Sequence, residues 1–377
     1  MSRTLTVVHI ITGLNNGGSE RSLYSLTRGG LKDHFKTVVI SLTDEGHYGP
    51  MLRKLGVPVY ALSMSGGSSI LRALWNVQKI VRKYQPDVIQ GWMYHGNIVA
   101  QLSTFFSSRS IVVCWNIRQC LYDLGAEKKL TRAVIRISRA LSHKPSYIIY
   151  NSMLSRLHHE EFGFSSQYGL VISNGFDPND FAPNLEVRAE IRQTLGLKEE
   201  NFVFGHAGRF HPMKDHISFL RSAIIVAQKN SAAFFLLAGN GINVRNIQLM
   251  RYIPIEFRHK FLLLDDRNDM PYLYNAMDVF CLSSSAEAFP NVLAEAMLTN
   301  LTCITTDVGD SAYIVGDVGS VVPPGRPDAF ASAMLQVMGM QFEARTFLGN
   351  AARKRVETKF SLKVIVRRYT ELYHGLV

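Results

Sequence analysis

The chain of 377 residues is 47% hydrophobic and 19% charged with a mean hydropathy near zero, which excludes a disordered or collagen-like protein. Its length predicts two domains, because a single hydrophobic core stops growing at about 250–300 residues. The net charge of +11 arises in residues 1–175, which hold 20 Lys and Arg against 9 Asp and Glu, whereas residues 176–377 hold 21 of each. We therefore expect the first half to meet an anionic partner: a nucleic acid, a phosphorylated substrate or an acidic membrane surface.

The cysteines and the amino-terminal segment indicate the compartment. The four cysteines form no CxxC pair and have no histidine at metal-ligand spacing, so we expect neither a disulfide framework nor a zinc site. Residues 1–13 lack the layout of a signal peptide, and no apolar run is long enough to cross a bilayer. These features predict a cytoplasmic protein that would meet a membrane only at the inner face of the plasma membrane.

In residues 1–175, short apolar runs alternate with stretches of helical periodicity. The order of strand, helix and strand predicts right-handed crossovers and a parallel, doubly wound sheet. Residues 173–183 are rich in turn formers and are the predicted linker. The predicted strands are Leu5–Thr12, Thr37–Leu42, Val88–Gln90, Ile111–Trp115 and Tyr147–Tyr150, and the predicted helices are Glu20–Leu31, Leu71–Tyr84, Ile98–Phe106 and Lys128–Leu141.

Residues 176–377 repeat this alternation. Two Rossmann-like domains that face each other would place a cleft at the carboxyl ends of both sheets. The predicted strands are Phe202–Gly208, Ala233–Ala238, Phe261–Leu264, Val279–Ser283 and Cys303–Thr306, and the predicted helices are His216–Lys229, Val292–Leu298, Ala329–Met338, Arg345–Phe360 and Leu362–Gly375.

The loop Gly13–Arg21 follows the first predicted strand and opens a helix. Gly17 and Gly18 would let a ligand approach the backbone without meeting a Cβ, and a helix amino terminus favours an anion. A tight turn between strand and helix would show the same pattern, so the glycines alone leave both interpretations open.

The segment Ser284–Met297 places two carboxylates on either side of a proline. Pro290 suits the first turn of a helix, which would leave Glu287 in the preceding loop and Glu295 inside the helix. The free amides at the helix start would seat a phosphate, while the carboxylates would accept hydrogen bonds from ribose and sugar hydroxyls. A capping carboxylate with a solvent-facing glutamate is the simpler alternative.

Within this segment, Glu287-Ala-Phe-Pro-Asn-Val-Leu-Ala-Glu-Ala-Met297 resembles the E-G-F-P-N-V-L-x-E-A-M signature of the family 4 retaining glycosyltransferases, and only Ala288 departs from it. The resemblance implies an α/β chain with the GT-B fold, two Rossmann-like domains facing across a cleft. It also implies that Glu295 binds the ribose hydroxyls and Glu287 holds the transferred sugar. The further donor contacts that it implies are Phe289, Pro290, Asn291 and Val292.

Other motifs that resemble this family occur in the same order along the chain. Phe204–Asp215 resembles the G-R-x-x-x-x-K segment, which implies that Arg209 and Lys214 neutralise the diphosphate leaving group. Ala238–Ile242 resembles the A-G-x-G loop, which implies a donor contact at Gly239. The segment Asp266–Pro271 resembles the loop that receives the nucleobase, and Gly17–Arg21 resembles a G-G-x-E-R loop beside the donor phosphate. The implied contacts near the nucleobase are Arg267 and Asn268, and the implied contacts beside the donor phosphate are Gly17 and Gly18.

The first half departs from the family pattern in two places. Many relatives carry a histidine, thought to act on the donor sugar, where this chain has Asn116 and Arg118, which are therefore its candidate catalytic residues. The segment 90–97 resembles an H-x-x-H motif in which Trp92 replaces the first histidine. His95 remains as a candidate contact to the acceptor, although a lone histidine is more often structural.

The resemblance also implies a mechanism without a metal or a further cofactor. The sequence has no Asp-x-Asp motif, and Arg209 and Lys214 would take the place of a metal ion. Retaining transferases of this kind are thought to react on one face of the sugar, where the leaving phosphate takes the proton of the acceptor. The enzyme would then supply positioning and charge stabilisation. The expected catalytic residues are Glu287, Arg209, Lys214, Asn116 and Arg118.

Residues 127–144 form a predicted basic amphipathic helix. Its apolar stripe would consist of Leu130, Val134, Ile137 and Leu141. Such a helix can lie on an anionic membrane, or it can pack the stripe on the sheet with the basic face outward, and both can hold at once. The basic face comprises Lys128, Lys129, Arg132, Arg136 and Arg139.

Together these features predict a retaining glycosyltransferase that moves a hexose or N-acetylhexosamine from a UDP donor to a lipid-linked or surface-polysaccharide acceptor. Residues 1–175 would bind the acceptor, residues 176–355 the nucleotide sugar, and residues 356–377 would form a helix that packs back on the amino-terminal domain. The expected partners are these substrates and an anionic membrane surface, but no nucleic acid. Two alternatives stay open: a non-enzymatic binder of nucleic acid or acidic polymer, and a GT-B-fold nucleotide-sugar epimerase or phosphorylase.

Overall fold

A computed structural model describes residues 3–64, 69–105, 107, 109–122, 124–126 and 128–377. The strands in this part of the chain are β1 Thr6–Ile11, β2 Lys36–Ser41, β3 Val59–Ala61, β4 Val88–Trp92, β5 Val112–Ile117, β6 Tyr147–Tyr150, β7 Gly169–Val171, β8 Phe202–Ala207, β9 Ala233–Ala238, β10 Phe261–Leu263, β11 Val279–Leu282, β12 Thr302–Thr306 and β13 Ser320–Val322. The helices are α1 Gly18–Leu26, α2 Lys32–His34, α3 Tyr48–Lys54, α4 Ser69–Tyr84, α5 Met93–Leu102, α6 Lys129–Leu141, α7 Met153–Glu161, α8 Leu185–Thr194, α9 His216–Lys229, α10 Ile247–Met250, α11 Met270–Ala276, α12 Asn291–Leu298, α13 Ser311–Val315, α14 Pro327–Met338, α15 Phe342–Lys359 and α16 Leu362–His374.

The chain divides into two compact units. The first unit is Met1–Gly175 with Leu362–Val377, and the second is Phe176–Ser361. The second unit extends past the predicted limit at residue 355, because α15 continues to Lys359 and Phe360 packs its ring edge-on against Phe289, at 5.6 Å. The segment that returns to the first unit therefore begins at Leu362, not at residue 356.

The first unit is built on a seven-stranded parallel sheet in the order β3-β2-β1-β4-β5-β6-β7. Strands β1 and β4 pair in the centre, with Val8 opposite Ile89. Both faces of the sheet are covered, so the central strands β1 and β4 are buried along their whole length. On one face lie α4, α5 and α6, and on the other lie α1 and α16.

The second unit repeats this design with a six-stranded parallel sheet in the order β10-β9-β8-β11-β12-β13. Here β8 and β11 are the central pair, with Val279 opposite Phe204. In both sheets the strand order reverses beside the first strand, which makes each unit Rossmann-like. The predicted fold class, a doubly wound α/β chain with two Rossmann-like domains, is confirmed.

Two predicted helices differ from the structure, and several short elements were not predicted. The helix predicted over 20–31 is interrupted at Gly30, whose φ of 114° suits a residue without a side chain. The helix predicted to begin at Ile98 begins at Met93, because the chain turns into α5 directly after β4 with Met93 at a φ of 60°. The sequence analysis also missed short elements in both units: α3, β3, α7, β7, α8, α10, α11, α13 and β13.

No described helix combines the length and the apolar character that crossing a bilayer requires.

Candidate functional site

In the second unit, two loops leave the sheet at the point where the strand order reverses. Residues 208–215 follow β8 and residues 283–290 follow β11, and these two strands are neighbours. Ligands of doubly wound sheets bind outside the carboxyl ends of the strands at such a point. The backbone of Ser285 donates to the carbonyl of Met213 at 2.8 Å, so the two loops are joined directly.

An ion pair links these two loops. The Nζ of Lys214 donates to Oε1 of Glu287 at 2.5 Å, and both side chains are largely shielded from water. The hydroxyl of Ser284 donates to the same carboxylate oxygen at 2.7 Å. The structure thus brings together two predicted site residues that are far apart in sequence. Sequence reasoning missed Ser284, although it stands within the segment that carries the signature.

Arg209 lies on the same loop as Lys214, with its side chain exposed. Gly239 fixes the path of this loop from the neighbouring one. It has a φ of 146°, and a Cβ there would lie 2.2 Å from the carbonyl oxygen of Gly208 and 2.9 Å from the nitrogen of Arg209. Any larger residue would therefore push the Arg209 backbone outward. The close approach gives Gly239 a steric role in shaping the predicted phosphate loop.

Glu295 lies inside α12 and is 4% exposed. Its Oε2 accepts a hydrogen bond from the hydroxyl of Tyr274 at 3.0 Å, which orients the carboxylate. Pro290 is the residue before the helix and not part of its first turn, so α12 begins with the amides of Asn291 and Val292. Those two residues are half-buried at the helix start, whose free amides and dipole favour an anion.

Phe289 has packing partners on both sides. Its ring stacks on Phe176 at 6.3 Å and contacts Phe360, and the residue is 6% exposed. These contacts place it in the hydrophobic core of the second unit, where it fixes the start of α12.

The predicted nucleobase loop lies after β10. Arg267 and Asn268 are both exposed there, and Arg267 forms an ion pair with Asp269, with its Nε 2.7 Å from Oδ1. The carboxylate of Asp269 raises the pKa of Arg267, and the hydrogen bond from Arg267 in turn lowers the pKa of Asp269. The pair is partly solvated, so either side chain is accessible to a ligand.

A buried polar group is hydrogen-bonded to the loop 208–215 that carries Arg209 and Lys214. The hydroxyl of Ser283 donates to the carbonyls of Lys214 and Asp215, at 3.1 and 3.0 Å, and lies 3.3 Å from Nε2 of His206. His216 lies beside His206, with ring centroids 4.6 Å apart and its Nε2 3.2 Å from the carbonyl oxygen of Gly208. Burial lowers the pKa of His206 far below its ordinary value and that of His216 to about 4, so both rings are neutral near pH 7. No sequence signal identified this support.

In the first unit, the equivalent loop carries Gly17 and Gly18. Gly17 precedes α1, and the carboxylate of Glu20 folds back so closely that a Cβ on Gly17 would lie 2.2 Å from its Oε2. Burial raises the pKa of Glu20. A Cβ on Gly18 would meet no atom within 4 Å. A larger residue at Gly17 would therefore displace the flexible end of the Glu20 side chain, whereas Gly18 borders open space.

His95 lies in the first turn of α5 and not in a loop. It is half-buried, and burial lowers its pKa, so the ring is neutral near pH 7. Trp92 stands where the family motif has its first histidine. It is fully buried in β4, and its Nε1 donates a hydrogen bond to Nδ1 of His9 at 3.2 Å. His95 as an acceptor contact stays a prediction.

Asn116 and Arg118 lie in a hydrogen-bonded network at the end of β5. Asn116 is buried inside the strand, and its Nδ2 donates to the hydroxyl of Tyr369 on α16 at 2.8 Å. Arg118 donates from Nη1 to Oδ1 of Asn116 at 3.2 Å and from Nη2 to Oδ1 of Asn174. Burial lowers the pKa of Arg118, while the Tyr369 hydroxyl opposes this shift. These contacts favour a structural role, and the catalytic role of both residues stays a prediction.

The predicted apolar stripe of the basic helix α6 is divided between the core and the solvent. Val134 and Leu141 pack toward the sheet, whereas Leu130 and Ile137 are 74% and 50% exposed, so only part of the stripe is covered by the sheet. The buried face is instead centred on Ile135 and Ser138. Among the predicted basic residues, Arg132 is partly buried, and the exposed ones are Lys128, Lys129, Arg136 and Arg139.

Several known proteins are similar to this chain in sequence or in fold. The chain is 28% identical over 211 residues to the UDP-Gal:alpha-D-GlcNAc-diphosphoundecaprenol alpha-1,3-galactosyltransferase of Escherichia coli, a match that spans 55% of this chain and 54% of that protein. It is 28% identical to the capsular polysaccharide biosynthesis glycosyltransferase CapM of Staphylococcus aureus, over 81% of each chain. The crystal structure of Anabaena Alr3699/HepE in complex with UDP superposes with a TM-score of 0.84 at 21% identity, covering 98% of this chain and 100% of that chain.

Two family models match consecutive parts of the chain. The model of Glycosyltransferase Family 4 matches residues 16–180, and the model of Glycosyl transferases group 1 matches residues 187–355. The matches cover both Rossmann-like units and include the loops described above. The chain belongs to the family 4 glycosyltransferases, which have the GT-B fold.

Proposed function

We propose that this protein is a retaining glycosyltransferase that moves a hexose or N-acetylhexosamine from a UDP donor to a lipid-linked or surface-polysaccharide acceptor. The observation that carries the proposal is the Lys214–Glu287 ion pair at the strand-order reversal of the second unit, with Arg209 on the same loop. Cations and a carboxylate meet there at the position where doubly wound sheets bind nucleotides. The names of the relatives support a UDP-linked donor and a diphosphate-linked or capsular acceptor.

The chemistry follows from these charges. The bond between the anomeric carbon of the sugar and the diphosphate oxygen breaks, and Arg209 and Lys214 stabilise the negative charge that develops on the leaving diphosphate. The acceptor oxygen bonds to the same face of that carbon, and its proton passes to the leaving diphosphate. Glu287 accepts hydrogen bonds from the sugar hydroxyls, and Glu295, oriented by Tyr274, accepts them from the ribose. The two cations supply the charge that a metal ion would otherwise provide.

A lipid-linked acceptor would bring the enzyme to the cytoplasmic face of a membrane. The exposed basic residues of α6 favour contact with an anionic surface, because each cation near such a surface contributes about 1 kcal/mol. We propose that the protein is cytoplasmic and peripheral to the inner face of the plasma membrane.

Donor binding tests the proposal. We expect Glu295→Ala and Arg209→Ala to abolish UDP binding in calorimetry while circular dichroism and the unfolding temperature show an intact fold. Glu343→Ala and Arg251→Ala, which change exposed residues of the same unit, are the controls and should bind UDP as the wild type does. Unchanged UDP affinity in the first two variants would contradict the proposed site.

The identity of the donor and the competing functions require a second measurement. A panel of nucleotide sugars screened by thermal shift should show the true donor as the one that stabilises the fold most, because a ligand stabilises in proportion to its occupancy. Turnover of that sugar without any acceptor would indicate an epimerase. Binding of oligonucleotides that is tighter than UDP binding and sensitive to salt would indicate a nucleic-acid binder.

A further inference from the structure

Three helices cover one face of the first sheet as a continuous layer. Val77 of α4, Ala100 of α5 and Ile135 of α6 belong to the same buried cluster beneath them. The side chain of Gln78 donates to the carbonyl of Ser103 at 2.5 Å, which ties α4 to the end of α5. We call the solvent side of α4, α5 and α6 the helix-layer surface.

The helix-layer surface carries a one-sided charge. The spans Ser69–Tyr84, Met93–Leu102 and Lys129–Leu141 contain no aspartate and no glutamate. They contain eight basic residues, four of them on α4 and four on α6. Neighbouring carboxylates balance the cations of most protein surfaces, so three adjacent helices without one indicate an anionic partner. The eight are Arg72, Lys79, Arg82, Lys83, Lys129, Arg132, Arg136 and Arg139.

An apolar groove of about 480 Å³ opens in this surface between α4 and the end of α5. Its walls include Trp75 and Phe105, which are 60% and 70% exposed. The Nζ of Lys79 lies 3.3 Å from the centroid of the Trp75 ring, so a cation is held at the groove itself. Large exposed aromatic residues on a water-soluble surface mark a contact site when they adjoin one another.

A polar pocket of about 380 Å³ adjoins the groove and shares Gln78 and Arg82 with it. Arg109 is a second guanidinium on its wall, and its Nη1 donates to Oε1 of Gln85 at 3.2 Å. The combination of an apolar groove and a dicationic pocket matches an amphiphile with an anionic headgroup, because guanidinium groups bind phosphate in a planar fork.

We propose that the helix-layer surface docks on an anionic phospholipid bilayer, with Trp75 and Phe105 in the interfacial region and Lys79, Arg82 and Arg109 on lipid phosphates. Trp at a membrane–water interface places its amphipathic ring at headgroup level, and basic side chains reach the phosphates from beside it. The exposed Leu130 and Ile137 of α6 extend the apolar contact along the same layer. This proposal rests on the proposed function with its lipid-linked acceptor. It adds a membrane contact that includes α4 and α5 besides α6.

The position of the groove keeps the contact away from the ligand edge of the sheet. Helix α5 starts at the carboxyl end of β4, so Leu102 and Phe105 lie toward the opposite edge. A bilayer held there would leave the loops after β1 and β4 uncovered.

The three tryptophans allow a specific test with the full-length protein. Trp92 and Trp115 are fully buried, so a change in emission on binding reports Trp75. We expect vesicles of phosphatidylcholine with phosphatidylglycerol to shift this emission to the blue, and lipids brominated in their acyl chains to quench it, whereas pure phosphatidylcholine does neither. The assay contains no donor or acceptor, so its failure would leave the transferase proposal intact.

Paired variants localise the contact. K79Q/R82Q should lower the partition onto anionic vesicles about 30-fold, since two cations near the surface contribute about 2 kcal/mol. W75Q/F105Q, measured by sedimentation, should lower it about tenfold through the loss of apolar contact. The matched controls are K354Q/K359Q and F342Q/F347Q, which alter exposed residues of α15 and should bind as the wild type does.

Two results would overturn the proposal. One is vesicle binding that neither shifts Trp75 emission nor changes in the groove variants. The other is a Trp75 response to short DNA duplexes that exceeds the response to vesicles, which would make the partner a nucleic acid.

Discussion

The two Rossmann-like units share a strand order but differ in where they keep their charges. In the second unit, residues 176–361 hold 18 Lys and Arg against 20 Asp and Glu, and the Lys214–Glu287 pair stands at the carboxyl ends of β8 and β11. In the first unit, the half-buried His95 and the Trp92–His9 pair, on α5, β4 and β1, are neutral. Arg118 stands at the end of β5 within a hydrogen-bonded network, and eight further cations lie on α4 and α6.

This difference teaches that a shared topology fixes where a site can form but not which side chains fill it. The second unit concentrates opposite charges where a ligand would bind, which suits a diphosphate and its sugar. The first unit uses its strand ends for a hydrogen-bonded network with α16, through Asn116 and Tyr369. The helix-layer surface holds eight of the 20 Lys and Arg of residues 1–175 and none of their nine Asp and Glu.

Removal of the lysine of the ion pair should have the largest effect. We expect Lys214→Ala to lower the rate of UDP release from the donor by about 10²–10³-fold, because one preorganised charge on the leaving group is lost. The unfolding temperature should change little, since Lys214 lies on a loop. Lys229→Ala, an exposed lysine at the end of α9, is the matched control. Equal loss in both variants would show that the effect is not specific to the Lys214–Glu287 ion pair.

Substitution of Asn116 should affect the stability of the fold more than the reaction rate, which is the reverse of the effect at Lys214. We expect Asn116→Ala to lower the free energy of unfolding in urea by about 2 kcal/mol, because it leaves buried partners of the amide without a hydrogen bond. Tyr369→Phe removes the same contact from the α16 side and should cost about 1 kcal/mol. If Asn116 acts on the substrate, Asn116→Ala will lose turnover per folded molecule while Tyr369→Phe retains it.

Buried histidines in both units should make the stability depend on pH. Burial lowers the pKa of His9 in the first unit to about 3 and that of His216 in the second to about 4. Because the unfolded chain takes up protons below about pH 6.5 while these buried rings do not, stability is full above that pH and falls as the pH drops toward the folded pKa values. Each ring should contribute a loss of about 2 kcal/mol between pH 7 and pH 5.

Urea unfolding at the two pH values measures this loss. His9→Gln and His216→Gln should each make the pH dependence shallower, whereas His259→Gln at an exposed position should leave it unchanged. A slope that neither buried variant alters would show that these rings take up protons as readily in the folded protein as in the unfolded chain.

Most of the fold could be predicted because its signal is local. Alternating apolar runs and helical periods identified the parallel sheets, and the signature around Glu287 and Glu295 identified the family. Short elements such as β3 and β13 were not predicted, because a strand of three residues is too short to show a period. Helix α5 began five residues early relative to expectation, since its first turn follows β4 without the usual break and contains a glycine.

The side-chain arrangement of the site was predictable only in part. The motifs placed Lys214 and Glu287 on loops at the same edge of one sheet, which follows from parallel strands. Sequence gave no reason for Tyr274 to orient Glu295, or for Ser283 and His206 to support the phosphate loop. Such contacts depend on helix and loop packing across the sheet, and no spacing in the sequence encodes them.

By itself, the sequence determined the fold class, the family and the half of the chain that carries the positive charge, because periodicity, contiguous motifs and composition are properties of neighbouring residues. Only the tertiary structure decided that Lys214 meets Glu287, that Asn116 meets Tyr369, and that Leu130 faces solvent. The physical reason is that a helical period tells which side chains share a face, whereas the packing of neighbouring elements decides which face is covered.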